Sequence, residues 1–167
     1  MKKSLVLTGM MGAGKSTIGR LIAKKLKVKF VDVDKIIEKN QKKSIKKIFE
    51  DRGEKYFRKL EEKITSKVLK SKKVVIALGG GAFMNNEIRE KVLKSCISFW
   101  LKIDLEKLMR RYKNNRRPLL NKKNLDTDVK KMYQKRKKIY SLANFKINCD
   151  NMSKTKIIEK ILMLYEN

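Results

Sequence analysis

Eight residues near the start of the chain, Gly9-Met10-Met11-Gly12-Ala13-Gly14-Lys15-Ser16, fit the pattern G-x-x-x-x-G-K-[ST] at every fixed position. A loop of this kind wraps backbone N–H groups around phosphates. Lys15 is then placed to reach the β- and γ-phosphates, and the Ser16 hydroxyl to ligate Mg²⁺, a hard cation that prefers oxygen. The ligand class this implies is a nucleoside triphosphate. The fate of the terminal phosphate has to be read from residues outside the loop.

Phosphoryl transfer depends on positioning and charge neutralisation more than on covalent chemistry, so carboxylates and guanidinium groups are the residues to look for. Asp32 and Asp34 follow a short apolar run. Asp32 is the candidate metal carboxylate. Asp34, two residues on, points the same way in extended chain and is placed to orient an acceptor hydroxyl; as an alternative it caps a helix starting at Lys35. Arg58 and Glu61 are spaced to pair on one helix face. Arg58 is either a solvated surface charge or a fork held for a substrate carboxylate. Gly79-Gly80-Gly81 is either a strand-ending turn or backbone pressed against a small ligand. Arg116, Arg117 and Arg136 are each surface charge or a phosphate or substrate contact.

Those residues need a scaffold that brings them together. The apolar pattern predicts strands at Leu5–Thr8, Lys29–Val33, Val74–Leu78, Ile97–Ile103 and Phe145–Asn148. It predicts helices at Lys15–Lys27, Lys35–Asn40, Ser44–Asp51, Glu54–Lys70, Asn86–Lys94, Leu105–Tyr112, Asp128–Leu142 and Lys154–Tyr165. Alternation of this kind makes a parallel α/β sheet, which binds ligands beyond the carboxyl ends of its strands. The stretch Lys113 to Asp126 has no clear apolar period and holds the single proline, Pro118. A long basic loop in this place reads as a lid over the phosphates or a disordered tip.

Composition narrows the function classes. The 167 residues suffice for one domain, and 45 Lys plus Arg against 17 Asp plus Glu leave a net charge of +28. The lysines are scattered in pairs such as Lys24-Lys25 and Lys130-Lys131, which favours solvated helix faces over a nucleic-acid arm. With no histidine, a histidine-based triad or metal site is excluded. Cys96 and Cys149 lie far apart and outside any C-x-x-C pattern, so they read as small buried hydrophobes. No signal peptide or membrane-length apolar run is present in the pattern, and a cytoplasmic location is expected.

Taken together, GMMGAGKS at 9–16, DVD at 32–34, FRKLEE at 57–62, GGGA at 79–82, RPLL at 117–120 and RKKIY at 136–140 resemble the shikimate kinase family in order and spacing. These are small P-loop kinases of the nucleoside-monophosphate-kinase type. The resemblance implies a three-layer P-loop fold over residues 1–167: a five-stranded parallel sheet flanked by helices, with a mobile lid loop near 112–126 and a shikimate-binding region near 34–61. It implies transfer of the γ-phosphoryl of ATP to the 3-hydroxyl of shikimate, with Mg²⁺, as a step of aromatic amino-acid biosynthesis.

The implied ATP contacts are Gly12, Ala13, Gly14, Lys15, Ser16, Thr17, Arg110 near the adenine, and Arg117 from the lid. Ser16 and Asp32 are the implied metal residues. Asp34 is the implied base, Arg58 and Arg136 the carboxylate clamp, Glu61 the residue that orients Arg58, and Gly79, Gly80 and Gly81 the substrate-contacting glycines. Phe49 and Phe57 look like the pocket's aromatic wall, and Lys15, Asp34 and Arg117 like the catalytic set. The resemblance departs at Asp150–Lys154, which lacks the proline the family often carries after its last strand, so no adenine contact is transferred there. A monomer is expected, with neither nucleic acid nor membrane as partner. The alternatives are another P-loop kinase, acting on gluconate or a nucleoside monophosphate, or a basic nucleic-acid-binding module. The last leaves DVD, GGG and RPLL unexplained.

Overall fold

The structure is a computed structural model and describes residues 3–114 and 125–166. Five strands form one all-parallel sheet in the order β2-β3-β1-β4-β5: β1 Ser4–Thr8, β2 Lys29–Asp32, β3 Val74–Ala77, β4 Cys96–Lys102 and β5 Phe145–Asn148. Helices flank it: α1 Lys15–Leu26, α2 Val33–Gln41, α3 Ile45–Val68, α4 Asn86–Ser95, α5 Leu105–Asn114, α6 Leu125–Tyr140 and α7 Lys154–Glu166. This is the three-layer arrangement expected from the alternating pattern.

The central strand explains why the pattern was readable. Leu5, Val6 and Leu7 are fully buried, as a parallel strand covered on both faces must be. Register places Leu7 beside Ala77 of β3 and Phe99 of β4. The carboxyl ends of β1, β2 and β3 are therefore neighbours. They deliver the phosphate loop, Asp32 and the Gly79–Gly81 turn to one edge of the sheet.

Three local expectations are corrected. α2 begins at Val33 rather than Lys35, because Asp32 caps it: Lys35 N–H donates to Asp32 Oδ1 at 3.3 Å. Asp34 is thus not the cap, and it sits in the first helical turn rather than in extended chain beside Asp32. The two helices expected at 44–70 form one span, capped by Ser44 and broken at Gly53, where φ is 76° and ψ 173°. Only glycine adopts that backbone readily. The stretch 113–126 is helical at both ends, at 113–114 and 125–126, and residues 115–124, with Arg116, Arg117 and Pro118, lie outside the described residues. A short 3₁₀ turn at Ala82–Met84, absent from the pattern reading, follows the glycines.

Candidate active site

A cavity of about 340 Å³ opens at the start of α1, lined by Gly12, Gly14, Lys15, Ser16 and Thr17 and walled by Asp34 and Gly80 among others. The helix N-terminus behind it supplies free N–H groups and a positive dipole end. Lys15 is buried, and its ammonium donates to the carbonyls of Gly9 at 2.8 Å and Met10 at 3.0 Å. Ser16 Oγ donates to Asp32 Oδ2 at 2.6 Å, while Asp32 Oδ1 caps α2. One carboxylate therefore ties the loop to the second strand.

The glycine turn after β3 forms the opposite wall. A β-carbon at Gly79 would lie 2.6 Å from Asp34 Oδ1 and 2.6 Å from Glu61 Oε1, so two carboxylates rest on that backbone. At Gly81 a β-carbon would collide with the Arg58 guanidinium. The Gly80 carbonyl accepts from Arg136 Nη1 at 3.0 Å and from the Tyr140 hydroxyl. The three glycines are spaced by need: side chains from α2, α3 and α6 converge where their own side chains would be.

Charge in this corner is arranged against burial. The Asp34 carboxyl is pushed up to about 6, chiefly by loss of water, with Lys15 pulling it down and Glu61, Asp32 and Glu38 adding like charge. Burial also raises Glu61, against the pull of Arg58 and then Arg136. Glu61 is 2% exposed and holds Arg58 Nη1 at 2.7 Å. Arg58 Nε and Nη2 both donate to Glu54 Oε1, at 3.1 and 3.0 Å. The Arg58 fork is thus aimed by two acids, one a helical turn before it and one a helical turn after it.

Phe49 and Phe57 stand beside Arg58, their ring centroids 4.6 Å apart, and the Arg58 guanidinium carbon lies 5.3 Å from the Phe57 centroid. Eight residues of straight helix rise about 12 Å. The break at Gly53 is what folds one ring onto the other.

Sequence reasoning missed some contacts. Glu54 has a signal, its four-residue spacing from Arg58. Arg111 and Tyr112 had none: from α5 they donate to the carbonyls of Gly12 and Met11, both at 2.6 Å. Arg110, the residue expected at the adenine, is exposed next to them. After β5, Asp150 accepts from Asp104 N–H at 2.7 Å and its carbonyl accepts from Lys107, which anchors the proline-free stretch to the start of α5.

Comparison with known proteins fits this geometry. A sequence model described as shikimate kinase matches residues 11–166. Proteins named shikimate kinase from Sulfurihydrogenibium and Persephonella marina are each 40% identical over 161 residues. These alignments cover 96% of this chain and 96% and 97% of the relatives. A solved shikimate kinase from Acinetobacter baumannii in complex with shikimate superposes with a TM-score of 0.91 at 32% identity, covering 98% of this chain and 93% of that one. With the match running through the phosphate loop, the glycine turn and the last helix, the chain belongs to the shikimate kinase family.

Proposed function

We propose that the protein transfers the γ-phosphoryl group of ATP to the 3-hydroxyl of shikimate, giving shikimate 3-phosphate and ADP. The observation that carries this reading is the convergence on Gly79–Gly81. A carboxylate of raised pKa and two guanidinium groups meet on one short turn, and that turn walls the phosphate cavity. Such a corner matches an acid that carries both a carboxylate and hydroxyls, rather than a nucleobase.

Arg58 and Arg136 bind the substrate carboxylate, Arg58 as a fork preset by Glu61 and Glu54. Gly79, Gly80 and Gly81 let the ring approach the backbone, and Phe49 and Phe57 wall the pocket. Asp34 accepts a hydrogen bond from the 3-hydroxyl and takes its proton as the hydroxyl oxygen bonds to the γ-phosphorus. The bond from that phosphorus to the bridging oxygen breaks, and ADP leaves with the electron pair. Lys15 exchanges its two loop carbonyls for phosphate oxygens and offsets the charge there. Arg117 is assigned to the transferring phosphate and Arg110 to the adenine on the family resemblance.

Ser16 and Asp32 would hold Mg²⁺. Two hard oxygen donors 2.6 Å apart at the mouth of a phosphate cavity suit an ion that takes its remaining ligands from phosphate and water. When bound, that ion would supply neutralisation of the phosphate charge. Among the described residues every proposed site residue comes from this one chain, which supports a monomer, and the free thiols Cys96 and Cys149 fit a reducing cytoplasm. Among the described residues no helix is long and apolar enough to cross a membrane.

The test is ADP release coupled to an indicator reaction, with shikimate, gluconate and nucleoside monophosphates offered in turn. Release that depends on shikimate alone is the expected result. Equal or greater release with gluconate or a nucleoside monophosphate would replace the reading with another P-loop kinase.

A further inference from the structure

The last two turns of α5 carry two adjacent residues that grip the back of the phosphate loop. The Tyr112 hydroxyl donates to the Met11 carbonyl and Arg111 Nη1 to the Gly12 carbonyl, each at 2.6 Å, from about a hundred residues away in sequence. Neither residue belongs to any of the motifs that identify the site. Tyr112 is 3% exposed, so its ring is locked in the core and its hydroxyl is a rigid donor. Arg111 is exposed and reaches the loop from the rim.

The consequence follows from the planarity of the peptide bond. A trans peptide points the carbonyl of one residue and the N–H of the next in opposite directions. Turning the Met11 carbonyl toward α5 therefore turns the Gly12 N–H away from α5. At the next peptide the outcome is visible. With the Gly12 carbonyl on Arg111, the Ala13 N–H points back into the loop and donates to the Met10 carbonyl at 3.1 Å. A loop with three glycines among its eight residues has many other peptide orientations open to it. The 12–13 peptide thus closes the turn that shapes the cavity rather than aiming a donor into it; phosphate binding needs that turn together with N–H groups turned to the cavity.

We propose that Tyr112 and Arg111 are positioning residues for the nucleotide: they fix the peptides 11–12 and 12–13 so that the phosphate-binding loop is formed before the triphosphate arrives. This rests on the kinase reading of the same cavity. Both residues act through backbone and neither is placed on a reacting atom. Loss of either hydrogen bond leaves the loop partly in orientations that do not bind, and apparent affinity falls by the fraction of competent loop.

The decisive variant is Tyr112→Phe, which changes no charge and keeps the ring. Arg111→Ala, at an exposed position, is the second. Dissociation constants for ADP, inorganic tripolyphosphate and shikimate are measured by calorimetry at fixed ionic strength, with kcat at saturating substrates. Tyr112→Phe is expected to weaken ADP and tripolyphosphate alike by about 5–10-fold, the scale of one net hydrogen bond. Shikimate affinity stays unchanged and kcat stays within about 2-fold of the parent protein. Unchanged ADP affinity in both variants overturns the proposal, and so does a shikimate loss as large as the ADP loss, which would mean general loosening. These are binding measurements, so they stand apart from turnover. A parent protein that binds ADP but does not phosphorylate shikimate counts against the function alone. One that binds neither ADP nor tripolyphosphate overturns both.

Discussion

Asp34 and Glu61 come together over a residue that has no side chain. A β-carbon at Gly79 would lie 2.6 Å from an oxygen of each, so the two acids, one from α2 and one from α3, share the surface of a single backbone unit.

That relationship makes Gly79→Ala a sharp test. The added methyl has to displace both carboxylates, and a misplacement of about 1 Å costs about 100-fold in rate. kcat/KM for shikimate is expected to fall by about that factor or more, with nucleotide binding nearly unchanged. Steady-state kinetics together with ADP calorimetry would show it, and parent-like kinetics would place the acids elsewhere during turnover.

The raised Asp34 pKa gives a pH dependence whose sign is fixed. As a base Asp34 works ionised, so kcat/KM for shikimate rises with pH through about 6 and then levels off. Asp34→Asn is expected to lower kcat by orders of magnitude while ATP still binds, as steady-state rates with nucleotide calorimetry would show. The stability effect runs the other way. A carboxyl whose pKa is higher folded than unfolded favours the fold below about 4, and that contribution is lost as pH rises through about 6. At pH 8 the Asn variant is therefore expected to be more stable than the parent, on the order of 2 kcal/mol, with the gain gone at pH 4. Denaturant titrations at the two pH values would measure it.

Arg58→Ala and Arg136→Ala separate the two substrates. Each should raise KM for shikimate far more than KM for ATP, at least about 10-fold for loss of a charge-assisted contact. Equal increases for both substrates would argue against a carboxylate clamp.

The Ser16–Asp32 contact predicts how the enzyme depends on magnesium. Removal of divalent ions with a chelator should abolish turnover and restoring Mg²⁺ should return it. Ser16→Ala and Asp32→Asn should each raise the Mg²⁺ concentration for half-maximal rate by about 10-fold or more. A rate indifferent to Mg²⁺ would remove these two residues from a metal role.

Periodicity and punctuation made the sheet legible. Leu5–Leu7 is an uninterrupted apolar run because the central parallel strand has no solvent face, and Gly79–Gly81 marks a strand end by composition alone. Element ends were less legible, since a cap is a contest between neighbours. Asp32 and Asp34 both carry capping chemistry, and only the path of the backbone decides that Asp32 takes the Lys35 N–H. Glu54 was within reach of spacing arguments, being four residues from Arg58. Tyr112 and Arg111 were not, because their partners are main-chain carbonyls a hundred residues away, and a carbonyl leaves no trace in the identity of the residue that bears it.

The break at Gly53 has a consequence in handedness. Among the described residues, no atom beyond the adjoining chain and the helix's own backbone lies within 4 Å of where an L β-carbon would stand, so space does not forbid one. What forbids it is the sign of φ, at 76°, costing an L-residue on the order of 1–3 kcal/mol. A D-alanine introduced at 53 by chemical ligation would meet no such backbone strain and should keep Phe49 against Phe57, where L-alanine would pull them apart. The corner between the two halves of α3, and with it the placing of Phe49 against the Arg58 pocket, is held by the mirror symmetry of one achiral residue.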